Sequence, residues 1–247
     1  MLILLPPSET KRDGGREGTR LALRELGFPQ LGAARRTVLA ALEELSRDSD
    51  AAATALKLGK TQAHEAERNR RIRSSPLLPA LDRYDGVLYD ALDAASLPSA
   101  AREFAHAHLA IASALFGLTR ALDPIPAYRL SADSRLPGLS LKRLWAPVVA
   151  DAVAQSPGLV LDLRSEAYAA LGPVPVREHA AFVRVVSEEH GRKRALNHFN
   201  KAGKGHLVRQ LLLARVVHEN VDSLLNWAAT AGLRLEPGAR GELDLVV

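Results

Sequence analysis

The chain has 247 residues, 47% of them apolar and 25% charged, with a formal net charge of +5. Such a length buries a core without disulfides or metal and suits one large domain or two small ones. The absence of cysteine excludes disulfides, thiolate zinc sites, iron–sulfur clusters and a cysteine nucleophile. No apolar run approaches the roughly 18 residues of a bilayer span, so no membrane partner is expected. The apolar start, Met1 to Leu5, stops at Pro6-Pro7 and is too short for a signal-peptide core.

Leu2 to Leu5 reads as a buried strand, and residues 6–18 as a polar, glycine-containing loop. Residues 32–73 fit two or three helices, with Leu39, Leu42 and Leu45 at helical spacing. Arg68, Arg70, Arg71 and Arg73 form the kind of basic cluster that a solvated helix face carries. After Pro76 and Pro79, helices are expected over residues 81–92 and 99–109, while residues 110–118 fit strand or helix. Pro124 and Pro126 force an ordered turn or extended connection. Residues 141–154 read as a helix interrupted by Pro147, and residues 159–163 as a short buried strand. Residues 181–186 and 194–200 read as the strands of a hairpin around His190-Gly191.

Gly203-Lys204-Gly205 is expected as a loop leading into an amphipathic helix over residues 206–218. A further helix covers residues 221–231, and two short strands flank Pro237-Gly238. No internal repeat or linker divides the chain. The expectation is a mixed α/β fold: a single domain over residues 1–247, with a mixed sheet surrounded by helices.

Residues 192–215 carry the most chemistry. No Asp or Glu lies between His190 and His218, while Arg192, Lys193, Arg194, Lys201, Lys204, Arg209 and Arg215 supply seven positive charges. A strand, a glycine loop and a helix start in succession would aim free backbone N–H groups and the positive end of a helix dipole at an anion. Gly203 and Gly205 would let the backbone approach it. The phosphate-facing set is therefore Lys193, Arg194, Lys201, Gly203, Lys204, Gly205 and Arg209; an ordinary exposed hairpin and helix start is the plainer account. The Gly-Lys-Gly unit is not a Walker A loop, and it matches the Gly-x-Gly turn of a helix-hairpin-helix only in part.

Polar residues also gather at expected strand ends, where α/β sheets place their ligands. Ser8, Lys11, Tyr128, Arg129, Ser165 and Tyr168 would line one cleft. Turn formation by Ser8 and helix capping by Ser165 remain the alternative. Gly-x-Ser-x-Gly is absent, no Ser/His/Asp set can be assembled from spacing, and no catalytic residue is assigned. His106 and His108 are two apart in a helix and point to different faces, so neither a metal site nor a cofactor is implied. Phe199 and Trp227 are either buried or available to stack on bases.

At these residues the chain resembles the YaaA-like family of bacterial peroxide-stress proteins. The resemblance starts with Met1 to Leu4, Pro7-Ser8 and Thr10, and continues through Tyr84-Asp85-Gly86, Tyr89 and Leu92. Leu115-Phe116-Gly117, Arg120, Leu122-Asp123 and the run from Pro126 to Leu130 follow. Leu144-Trp145, then Leu163, Ser165 and Tyr168, and finally the run from Lys201 to Arg209 complete it. The opening departs from the family in carrying Glu9 and then Lys11, and the acidic residue beside Tyr168 is displaced to Glu166.

The resemblance implies a compact mixed fold, a cytoplasmic location and a part in limiting oxidative damage when peroxide meets free iron. It also implies DNA binding by a helix-hairpin-helix-like element, and it brings no established reaction. Two functions follow. The first is largely sequence-independent binding of double-stranded or structured DNA through its phosphates, by a monomer. The second is an enzyme acting on a nucleotide or other small phosphate-bearing ligand in the strand-end cleft.

Overall fold

Four apolar residues without a polar interruption, Leu2–Leu5, form β1 and are buried throughout, the pattern of a strand covered on both faces in a parallel sheet. The computed structural model describes residues 1–189, 192–195 and 200–247. Helices α1 (Gly32–Leu45), α2 (Ser49–Ala55) and α3 (His64–Arg70) follow the first loop. Leu39, Leu42 and Leu45 face the core. The arginine cluster is paired: Arg68 with Glu65 and Asp13, Arg71 with Glu67, Arg73 with Glu43.

Strand β2 (Leu78–Pro79) precedes α4 (Ala80–Arg83) and α5 (Val87–Leu92). The helix expected over residues 81–92 is thus broken at Tyr84-Asp85-Gly86, where Gly86 has φ of 100°, a value that favours glycine. Helix α6 (Ser99–His108) runs into β3 (Leu109–Ser113), which pairs antiparallel with β4 (Gly117–Arg120). The segment that fitted either type is therefore a hairpin. Beyond β5 (Pro124–Ile125), helix α7 (Leu141–Ala154) continues through Pro147. The rest comprises β6 (Val160–Asp162), α8 (Glu166–Ala169), β7 (Ala180–Glu189), β8 (Arg192–Ala195), α9 (Asn200–Ala214), α10 (Val221–Thr230), β9 (Leu235–Pro237) and β10 (Glu242–Val246).

The main sheet runs β4-β3-β1-β6-β7-β10-β9, with β8 paired to the far end of β7. Strands β3, β1, β6, β7 and β10 are mutually parallel, and β4, β8 and β9 are antiparallel additions. This is the expected mixed α/β fold. The chain leaves β1 for β3 on one side and later enters β6 on the other, so the strand order reverses between β1 and β6. In open α/β sheets the carboxyl ends at such a reversal form a crevice. Among the described residues no helix is long and apolar enough to cross a membrane.

The main correction concerns α9. It begins at Asn200, so Gly203, Lys204 and Gly205 lie inside the helix and are buried; they are not a loop before it. Glycine lowers helix propensity, which is why the sequence reads as a break there. Packing overrides it: a Cβ on Gly205 would lie 2.3 Å from the Leu88 carbonyl oxygen and 2.8 Å from Ala91 Cβ. The glycine allows α9 to press against α5. The helix ends at Ala214, where Arg215 turns to a positive φ of 54°.

Candidate functional site at the carboxyl edge of the sheet

After β1 the chain turns through Pro6-Pro7 and brings Lys11 back into an antiparallel bridge with Tyr84. Arg83 holds this segment in place. Its guanidinium donates to the carbonyls of Arg12, Gly14 at 3.1 Å, Pro76 at 2.8 Å and Ile125 at 3.2 Å. The Lys11 side chain is 5% exposed. Its Nζ lies 4.3 Å from the centre of the Tyr128 ring and 5.7 Å from that of Tyr84, and it donates to the Glu9 carbonyl at 3.2 Å. Burial, opposed by the charge of Glu9, lowers its pKa to about 8.

The chain has four tyrosines, and Tyr84, Tyr89, Tyr128 and Tyr168 all meet at this edge. Ser113, the last residue of β3, accepts from the amides of Leu115 at 3.2 Å and Phe116 at 3.0 Å. With both lone pairs used, its own hydrogen goes to Tyr128 Oη at 2.7 Å, and Tyr128 in turn donates to Tyr84 Oη at 2.9 Å. Tyr89 donates to the Pro6 carbonyl at 2.8 Å. Burial raises all four phenols. Tyr84 rises to about 12, held back by the hydrogen bond it receives from Tyr128.

Past β6, Arg164 and Asp162 form a buried two-pronged pair at 2.9 and 2.7 Å. Arg164, Tyr168 and Ser113 share the wall of a cavity of about 10 Å³, near the size of a single water. From the helix side, Lys204 reaches the same edge. Its Nζ is 3.4 Å from the Arg164 carbonyl and 5.3 Å from the centre of the Phe182 ring. Burial lowers its pKa to about 8, against the pull of Asp162. Arg129 is clamped through its backbone by Asn69, whose Oδ1 accepts from its N–H at 2.8 Å and whose Nδ2 donates to its carbonyl at 2.9 Å. The Arg129 guanidinium reaches both the carbonyl and the carboxylate of Glu9 at 3.5 Å.

Of the expected cleft residues, Lys11, Tyr128, Arg129 and Tyr168 therefore lie together. Ser8 is half-buried at the rim and its Oγ accepts from the Thr10 amide at 3.3 Å, a turn contact. Ser165 precedes α8, but its side chain makes no capping bond. The phosphate-facing set is not brought together. Gly203 and Gly205 serve helix packing, and Lys204 is turned inward. Arg209 closes the carboxyl end of α5, donating to the carbonyls of Leu92 and Asp93 at 2.9 Å each and to Ser96 Oγ at 2.8 Å. Arg194 and Lys201 are exposed. The Lys193 side chain and residues 196–199, with Phe199, lie outside the described residues.

Trp227 packs partly buried against the core, 5.4 Å from the ring of His218. Among the described residues no group of three His, Asp or Glu side chains is placed to hold a metal ion. Asn69, Ser113, Asp162 and Arg164 were not singled out by sequence reasoning.

A family model described as peroxide stress protein YaaA matches residues 1–238. The chain belongs to that family. A UPF0246 protein of Corynebacterium glutamicum is 45% identical over the whole of both chains, and one of Corynebacterium efficiens is 42% identical, again over both chains in full. One of Streptomyces coelicolor is 41% identical over 97% of this chain and 93% of its own. The strand-end and α9 segments that carried the resemblance to the YaaA family fall within these matches.

Proposed function

We propose that this YaaA-family member acts in the cytoplasm as a DNA-binding protein of the peroxide-stress response, holding DNA through phosphates with little regard to sequence. The observation that carries the reading is the sorting of the basic run. With Lys204 buried and Arg209 half-buried on the end of α5, Arg194 on β8, Lys201 on the first turn of α9 and Arg215 after its last turn are exposed, in a stretch without an acidic residue between His190 and His218. Strand β7 is accompanied by β8 beyond the point where β6 and β10 leave it. A two-stranded ribbon of this kind fits a DNA groove.

An Arg194→Ala, Lys201→Ala double variant tests the reading by fluorescence anisotropy with a labelled duplex. The expected result is weaker binding with an unchanged melting temperature. Equal affinity of the folded variant would refute the assignment.

A second reading, an enzyme or binding site for a small phosphate-bearing substrate, is favoured by one observation. Lys11 and Lys204 are both buried at the carboxyl edge, an arrangement that duplex binding does not require. A thermal-shift panel of nucleotides should show selective stabilisation that Arg129→Ala removes, and a flat response would count against this reading.

A further inference from the structure

Lys11 and Arg129 converge on one uncharged atom. Lys11 Nζ donates to the Glu9 carbonyl oxygen at 3.2 Å, and the Arg129 guanidinium reaches the same oxygen at 3.5 Å. A carbonyl carries only a partial charge, so for Lys11 the compensation comes mainly from the Glu9 and Glu65 carboxylates, neither of them within ion-pair reach. Arg129 has a second contact, at 3.5 Å, with the half-exposed Glu9 carboxylate. Among the described residues Lys11 has no ion-pair partner, and its single hydrogen bond leaves ammonium donors over. A buried cation in that state is costly unless something else compensates it.

The tyrosine chain points the same way. Its polarity is fixed at Ser113, whose lone pairs are taken by two amides. The direction Ser113 to Tyr128 to Tyr84 then leaves the Tyr84 hydroxyl hydrogen as the one unspent donor at the end of the relay. Tyr84 is itself the bridge partner of Lys11. An ammonium, a guanidinium and a phenol O–H are all donors, and an oxyanion is the ligand that satisfies donors of this kind.

We propose that Lys11, Arg129 and the Tyr84 hydroxyl form a binding site for a small oxyanion, a carboxylate or a phosphate monoester, at the carboxyl edge of the sheet beside the ends of β1 and β3. The inference builds on the site of the second reading but does not require its ligand to be a nucleotide. Asn69 is a positioning residue here, since it fixes the Arg129 backbone from both sides. Burial, with Arg129 and Arg68 acting alongside it and Glu9 and Glu65 against it, lowers the Lys11 pKa to about 8, which adds a signature. Of the two cations only Lys11 loses its charge over this range, so affinity falls by up to about tenfold from about pH 7 to about pH 9.

The test is calorimetric titration of the full chain with sodium sulfate, which does not itself titrate in that range, at both pH values and at constant ionic strength. Saturable binding with that fall is expected, together with proton uptake near pH 8. Lys11→Met should lose binding, and Tyr84→Phe should weaken it severalfold. Acetate and phenyl phosphate, titrated in parallel, distinguish the carboxylate from the phosphate ester. No saturable binding of any of the three, or affinity unchanged with pH or in folded Lys11→Met, would overturn the proposal. Should Lys11→Met fail to fold, Tyr84→Phe decides, and an affinity equal to that of the native chain would overturn the proposal. A site that takes sulfate while the nucleotide panel stays flat sinks the second reading and leaves this one standing.

Discussion

A lysine enclosed between two tyrosine rings is the residue on which the candidate site turns, and its burial has a consequence for stability. The folded pKa of about 8 for Lys11, and likewise for Lys204, lies below the ordinary value near 10.4. Between the two the unfolded chain binds more protons than the folded one, so stability rises with pH across that window. Above about pH 10 the raised phenol pKa values oppose it, because unfolded tyrosine then ionises first. Urea midpoints should therefore increase from about pH 7.5 to about pH 9.5, and Lys11→Met should flatten part of that increase. A midpoint that falls over this range would contradict the assigned burial.

The sequence placed Lys11, Tyr128, Arg129 and Tyr168 in one cleft because each follows an expected strand or turn. Asn69 and Ser113 were not legible. Each acts through one or two specific hydrogen bonds to a segment distant in the chain, and spacing carries no trace of such a partner.

At the level of elements, α9 separates what patterning reveals from what packing decides. Its apolar positions, Leu207, Val208, Leu211 and Leu212, are buried as their spacing implied. Its start was misread because two glycines so close in sequence resemble a loop, and only the α5 neighbour explains them. The two should behave differently on substitution. Gly205→Ala drives a methyl into the Leu88 carbonyl and Ala91 and should destabilise by about 1–3 kcal/mol. At Gly203 the nearest atoms are side-chain methyls of Val247 at 3.1 Å and Val185 at 3.3 Å. These can shift, and the better helix propensity of alanine offsets about 1 kcal/mol of any strain, so Gly203→Ala should be nearly neutral. Chemical denaturation separates the two, and equal effects would argue against close α5–α9 packing as the reason for Gly205.

The strands were easier to read. Leu2–Leu5 is a short apolar run ended by proline, and Val160–Asp162 a short one closed by a charge, and such runs suit a parallel sheet covered on both faces. Their order in the sheet was not readable, because parallel neighbours are joined by long crossovers with no local pairing signal.

For the whole molecule, the sheet fixes two surfaces with different chemistry. The carboxyl edge of the sheet gathers buried lysines and tyrosines, and the β7–β8 ribbon with the start of α9 carries exposed cations outward. A formal charge of +5 says little about which surface meets an anion. Burial sorts the charges, as it did for Lys204 and Lys201, three positions apart and facing opposite environments. This sorting makes the DNA reading quantitative, since only exposed cations release counterions from the duplex. The most direct measurement is the dependence of duplex affinity on salt, recorded for the native chain and for Arg194→Ala, Lys201→Ala. Two lost phosphate contacts should make the log–log slope shallower by about 1.8, whereas a slope unchanged from that of the native chain would contradict the account.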